Sequence, residues 1–263
     1  MTCLDSATML ERLDLARRAR AAGIHLLISA LVAALAAALV FGVWYPGAYR
    51  VLSGGRELFL LIASVDVVLG PLLTFAVFNL KKGWPHLRRD LAVIGAIQLA
   101  ALGYGLHTVY VARPVAMVFE VDRLRVVSAH DVYEPDLPKA LPAYRELPLT
   151  GPWLLAARTP KPGDEQNEAL FKSLEGPDIG MRPLFWQPYA ESAPAVLARA
   201  RPLEVLLTKY PQQAAAIRER LAELKIDAAG ARFLPLMARG GDWVAVLDST
   251  GQPRFYERLD GFF

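Results

Sequence analysis

Few side chains in this sequence are placed to do chemistry, and the first of them is an acid where acids are costly. Asp66 lies inside the apolar run Leu58 to Leu80, which is long enough to cross a bilayer. An ionisable group at that depth either fixes helix packing through a hydrogen bond or recognises a polar group of a partner within the membrane. Proton translocation would need a relay of further carboxylates, and none accompanies it. Four residues on, Gly70-Pro71 removes one helical N–H and frees the carbonyl near Val67, so a kink is expected beside the acid. Counting equal depths from the outer ends of the second and third apolar runs sets Tyr104 opposite Asp66 as its hydrogen-bond partner, with His107 one turn nearer the surface.

The C-terminal part offers less. Its one histidine, His130, stands near Asp131, Glu134 and Asp136 in an irregular, proline-flanked stretch with no second nitrogen or sulfur ligand, so no metal site is expected. The phosphate-binding, dinucleotide-binding, nucleophile-elbow and zinc-helix motifs are absent. No catalytic residue, metal or cofactor is expected, and the single cysteine, Cys3, cannot form an intramolecular disulfide.

The elements that position Asp66 follow from hydropathy. The chain is 54% hydrophobic and 21% charged, with mean hydropathy +0.28, and the excess lies in the first 112 residues. That composition excludes disorder, a collagen-like chain and a disulfide-stapled miniprotein. Three spans are expected at about 23–44, 58–80 and 91–111. The first is longer than a signal-peptide core and ends in Val43-Trp44-Tyr45-Pro46, so it reads as an uncleaved anchor with Trp44 and Tyr45 in an interfacial aromatic belt. Ala30, Ala34 and Ala38 align at four-residue spacing in the first span, and Ala92, Ala96 and Ala100 do so in the third. Small residues let helix backbones approach closely, and an outward-facing row of them suits a partner's transmembrane helix.

Orientation follows from the short connections. Arg12, Arg17, Arg18 and Arg20 precede the first span, and Lys81, Lys82, Arg88 and Arg89 lie between the second and third; only Arg50 and Arg56 lie between the first and second. Lys and Arg accumulate on the cytoplasmic side, which predicts a cytoplasmic tail over 1–20, a three-helix membrane region over 21–112 and an outer domain over 113–263, periplasmic in a diderm cell. The first 112 residues hold 10 Lys/Arg against 6 Asp/Glu, and the remainder 19 against 20. The basic balance is therefore a topology signal toward the lipid bilayer and not a nucleic-acid signal. So little chain is left inside that no cytoplasmic output domain fits.

Strands are expected at Val115–Val121 and Leu124–Val127, joined by a turn at Asp122-Arg123, and at Trp153–Ala157. Dense prolines between 134 and 163 forbid long elements there. Helices are expected over Asp164–Leu174, about Ala193–Ala200, Leu203–Lys209 and Pro211–Leu224, the last with Ala214, Ile217, Leu221 and Leu224 on one face and Gly230 as its stop. A three-strand meander over 232–258 closes the chain. Strands at both ends with helices between predict a small α+β domain after the membrane helices.

Several ordered strings then resemble one family. Ala21-Ala22-Gly23-Ile24-His25-Leu26-Leu27-Ile28-Ser29-Ala30, Trp44-Tyr45-Pro46, Asp66-Val67-Val68-Leu69-Gly70-Pro71-Leu72-Leu73-Thr74, Arg88-Arg89-Asp90-Leu91, and Arg113-Pro114 with Phe119-Glu120-Val121-Asp122-Arg123 are similar to the TfpX/TfpZ type IV pilin accessory proteins. The likeness covers about residues 17–131 and is looser beyond. It implies an inner-membrane, non-catalytic accessory factor that helps a cognate type IV pilin to be assembled and displayed. Its implied partner is that pilin; the small-residue faces and an outer domain held close to the bilayer suit a grip on both the pilin's transmembrane helix and its globular domain, with other pilus assembly proteins as further partners. Two other classes stay open: a receptor-like sensor working through a cytoplasmic partner, and a transferase that modifies pilin.

Overall fold

The computed structural model describes residues 3–79 and 83–263, with side chains from residue 14 onward. Lys81 and Lys82 lie outside the described residues. Helix α1 (Cys3–Leu39) runs without a break through the expected tail and into a π-helical turn, Val40–Trp44. The short α2 (Tyr49–Leu52) follows. Then α3 (Gly55–Ser64), a second π-helical turn at Val65–Leu69 and α4 (Gly70–Val77) make one continuous helix, and α5 (Trp84–Val111) is the third long one. Asp14–Trp44, Gly55–Val77 and Trp84–Val111 are long and apolar enough to cross a membrane. Their outward faces carry the exposed Leu27, Leu31, Leu35, Leu61, Leu72, Ile97 and Leu99, as lipid-facing helices require.

The chain forms two compact units. One is the helical unit, residues 1–42 and 55–110. The other joins 43–54 to 111–263, so the segment between the first two long helices is built into the C-terminal unit instead of serving as a bare loop.

That second unit is a mixed sheet with helices. Its strands are β1 (Pro114–Glu120), β2 (Arg123–Ser128), β3 (Trp153–Ala157), β4 (Trp186–Pro188), β5 (Arg201–Pro202), β6 (Arg232–Ala238), β7 (Gly241–Leu247) and β8 (Pro253–Glu257). The sheet order is β4-β3-β1-β2-β6-β7-β8, with β5 also pairing β6. The β1–β2 hairpin and the β6–β7–β8 meander are antiparallel as their short turns demand. The hairpin turn falls at Val121-Asp122, one residue earlier than expected, because Glu120 pairs with Arg123. The parallel pairs, β1 with β3 and β2 with β6, tie the hairpin to the rest. β1 is buried along its whole length, so alternation is absent from it, as expected for a central strand covered on both faces.

The helices α6 (Asp164–Glu175), α7 (Ala193–Arg199), α8 (Leu203–Lys209) and α9 (Pro211–Glu223) occur within a residue or so of their expected bounds. The α9 stripe Ala214, Ile217 and Leu221 packs with Phe233, Val244, Val246 and Phe255 on one side of the sheet. Gly163, at φ +104, occupies the cap position before α6, so Asp164 is its first helical residue. One ending differs from expectation. The chain leaves α9 through Lys225 at φ +55, five residues before the expected stop at Gly230.

The opposite side of the sheet holds the core into which 43–54 is drawn. Leu52 is 1% exposed and packs with Met117, Phe119, Leu124, Leu234 and Leu236. Backbone bonds fasten the segment at both ends: the Gly151 N–H donates to the Val43 carbonyl (2.9 Å), and the Arg239 N–H donates to the Leu52 carbonyl (2.9 Å). Tyr45, expected in an interfacial belt, is instead fully buried. Burial pushes its hydroxyl up to about 12, while Arg239 and Arg113 pull the other way. Trp44 is half-buried.

Candidate functional site

Asp66 sits in the π-helical turn Val65–Leu69, directly before Pro71. The wide turn explains which carbonyl is freed. In the i→i+5 register the Asp66 carbonyl looks to residue 71, and proline has no N–H to give. The amide of Gln98 on α5 donates to that carbonyl at 3.2 Å. The expected vacancy at Val67 is thus served one residue earlier, since the helix widens instead of only kinking.

Gln98 approaches because Gly70 leaves room. A Cβ built at Gly70 would lie 2.0 Å from the Gln98 Nε2. The partner level on α5 was expected at Tyr104, but the second long helix starts at Gly55, three residues before the expected Leu58. Equal-depth counting then moves the facing position about three residues deeper, toward the reach of Gln98. Among the described residues no hydrogen bond joins Tyr104 to Asp66. Tyr104 is 76% exposed and shares a shallow apolar groove with Asp66, Leu61, Val65 and Thr108.

A cavity of about 240 Å³ opens between the three helices on the other side of Asp66. Its wall is apolar apart from His25 and Ser29 of α1, Asp66, and Gln98 of α5. His25 Nδ1 and the buried Thr74 hydroxyl of α4 are hydrogen-bonded at 2.5 Å, which ties α1 to α4. Gly105 lets α5 close on the second helix, as its Cβ would meet Ile62 Cγ2 at 2.5 Å. Among the described residues no hydrogen bond reaches the Asp66 carboxylate. The arrangement is a half-buried acid in the bilayer-spanning unit, positioned by backbone contacts and open to two grooves.

The small residues of the first span divide between inside and outside. Ala33 and Ala36 line the cavity, whereas Ala30, Ala34 and Ala38 face outward. Ala92, Ala96 and Ala100 are likewise exposed. Gln98 and Thr74 are the polar members that sequence patterning missed. Both are uncharged residues in apolar helices, and their signal was spacing from Asp66: one level across and eight residues along. Of the topology residues, Arg18 pairs with Asp14 at 3.2 Å one turn away, and Arg17, Arg20, Arg88 and Arg89 are exposed in the first turns of the membrane-length helices Asp14–Trp44 and Trp84–Val111.

The charged groups of the C-terminal unit are engaged with one another. Arg182 is 1% exposed; its Nε donates to Asp136 at 2.6 Å, its Nη2 to Glu168 at 2.9 Å, and its guanidinium lies over the Phe185 ring. Arg125 holds Glu120 and Asp178, each at 2.6 Å, and the Gly180 N–H donates to Glu120 at 3.0 Å. Burial raises the Glu120 carboxyl despite the neighbouring guanidinium. Asp131 accepts from the Ser128 N–H and lies 3.2 Å from His130, while Asp136 is committed to Arg182. Among the described residues no group of three His, Cys, Asp or Glu side chains is arranged to hold a metal ion.

Comparison with known proteins adds the following. The model of the family described as fimbrial assembly protein FimB matches residues 13–54. The fimbrial assembly protein of serogroup I from Dichelobacter nodosus is 39% identical over 246 residues, 93% of this chain and 96% of that protein. The serogroup E1 protein of the same organism is 37% identical over the same shares. The protein of serogroups C1 and C2 is 47% identical over 122 residues, 46% of this chain and 93% of that shorter protein. No solved structure matches the chain.

Proposed function

Because the chain belongs to the family of fimbrial assembly proteins, we propose that it acts in the inner membrane as a non-catalytic holder of a fimbrial subunit, in the manner of the TfpX/TfpZ accessory proteins. The subunit is a type IV pilin whose apolar helix waits in the bilayer before assembly. The observation that carries this reading is Asp66: a carboxylate inside a membrane-spanning bundle, bordered by grooves, with no hydrogen-bond partner of its own among the described residues. A donor on the pilin helix completes it. The outward rows containing Ala34 and Ala96 allow that helix to approach closely, and Gly70 with Pro71 holds the acid in the widened turn.

The N-terminus is cytoplasmic and the C-terminal unit periplasmic in this reading, as the clusters around Arg17, Arg18, Arg20, Arg88 and Arg89 favour. The C-terminal unit then meets the pilin's globular domain. Lipid, pilin and other pilus assembly proteins are its partners.

Photo-crosslinking residues placed at Ala34, Ala96 and Tyr104 in the native host test it. Pilin adducts at one or more of these positions are expected; their absence, with working controls elsewhere on the helices, sinks the reading. Asp66→Asn should abolish surface fimbriae at unchanged protein abundance, whereas loss of the protein itself would mark Asp66 as a packing residue. An unchanged intact mass of pilin on deletion of this protein is the outcome that separates a holder from a transferase.

A further inference from the structure

The free edge of the sheet in the C-terminal unit lies at the bottom of a groove. β8 ends the sheet order, and among the described residues no strand pairs with its outer side. The groove, about 490 Å³, is lined by the four consecutive β8 residues Arg254, Phe255, Tyr256 and Glu257. Successive strand residues point to opposite faces. Tyr256 packs against the cluster that contains Leu52, and Phe255 against the cluster that contains the α9 stripe. A groove touched by residues of both faces must run along the strand's edge.

Its walls rise on either side of that edge. Ala216 and Arg220 of α9 form one, and Ala48, Val51 and Trp243 form the other, so the 43–54 segment supplies part of the second wall. An antiparallel strand spends only alternate residues on its neighbour, which leaves the remaining N–H and C=O groups of Arg254–Tyr256 directed into the groove, while the Glu257 carbonyl accepts from the Leu259 N–H at 3.0 Å. No side-chain hydrogen bond covers the backbone of 254–256 among the described residues. The Trp243 indole N–H is also without a partner. The opposite edge differs: β4 has three residues and ends at Pro188, which runs straight into a 3-10 turn.

We propose that this groove takes an extended terminal or loop segment of the fimbrial subunit, which adds to β8 as a further strand. Backbone hydrogen bonding would supply the affinity, and alternate side chains of the segment would meet the α9 wall and the Val51–Trp243 wall. A second copy of this chain is a poor occupant, because its own β8 is recessed between the same two walls and cannot reach the edge. The proposal rests on the reading that a fimbrial subunit is the partner.

Hydrogen exchange on the full chain in lipid nanodiscs, with and without the purified cognate subunit, tests it. Amides within 254–257 should slow by at least about tenfold in the complex, while those around β4 stay unchanged. Ala216→Trp fills the groove from the exposed face of α9 and replaces no buried side chain; it should abolish that protection with an unaltered melting temperature. A complex that forms without slowing 254–257, or slowing there that survives Ala216→Trp, overturns the groove and leaves the proposed function standing. No complex at all overturns both. Slowing that needs no subunit and grows with protein concentration overturns the proposal in favour of self-pairing.

Discussion

Replacing Leu52 by alanine tests whether residues 43–54 are a structural part of the C-terminal unit. Leu52 is 1% exposed among Met117, Phe119, Leu124, Leu234 and Leu236, sheet residues about 65 or more positions further along the chain. Truncation at such a site costs the lost transfer energy plus the cavity left behind, about 3–5 kcal/mol. A unit of this size shifts its midpoint by roughly 2–4 °C per kcal/mol, which predicts a fall of roughly 6–20 °C. The readout is thermal unfolding of detergent-solubilised protein, followed by near-ultraviolet circular dichroism. Val51→Ala is the control: its side chain is 43% exposed, so its midpoint should move by no more than about 2 °C. If Leu52→Ala melts with the wild type, the segment is only a connection and the second wall of the β8 groove loses its anchor. A fragment beginning at residue 113 gives a complementary measurement, since it lacks Leu52 and the bond to the Arg239 N–H and should aggregate unless 43–54 is fused back to it.

Other expectations concern charge and close packing. Asp136→Ala strands the buried Arg182 guanidinium and should cost about 3–5 kcal/mol in denaturant unfolding, more than a surface pair would. Glu165 is held down to about 2 by hydrogen bonds from Arg158 and the Lys161 N–H, so its contribution is present above its usual range near 4.5 and is lost as pH falls toward 2; because the pair is partly exposed it is worth under about 1 kcal/mol, and Arg158→Ala should raise the carboxyl part of the way back by NMR titration, the Lys161 N–H still lowering it. Glu120 has the opposite sign: burial raises its carboxyl, so the folded unit holds that proton more tightly and stability from this group declines as pH rises above about 4.5, which a midpoint-versus-pH series on Glu120→Gln should flatten. In the helical unit Gly105→Ala should destabilise more than Gly70→Ala, measured as cellular abundance, since the first meets a stiff β-branched Ile62 and the second only the swinging end of Gln98.

Much of this fold was legible because its signals are local. Apolar runs reveal spans, Pro211 with Ala214, Ile217 and Leu221 reveals α9, and the turn residues of 239–252 reveal the meander. What escaped is non-local. Nothing in Trp186–Pro188 marks a strand, since three residues joined to a distant β3 carry no periodicity of their own. The strands were expected, but the parallel pairing of β2 with β6 joins segments over a hundred residues apart, and hydropathy does not state pairings.

Residues 43–54 show the same limit at a functional scale. Between two spans, Pro46-Gly47 and Ser53-Gly54 announce turns, and Tyr45 beside Trp44 satisfies the rule for an interfacial belt as well as it satisfies a buried core. One aromatic obeys both rules because each asks only for a large apolar ring with a polar tip. The tie is broken by what the fold gathers round it, and here Tyr45 is fully buried with Arg239 and Arg113 near enough to act on its hydroxyl. Asp66 is the converse case: its type and depth alone make it a candidate, and packing brings Gln98 to its backbone carbonyl where Tyr104 was expected at its side chain. A costly residue is therefore found from sequence by its cost, whereas a well-accommodated one such as Leu52 is visible only once its partners are in place.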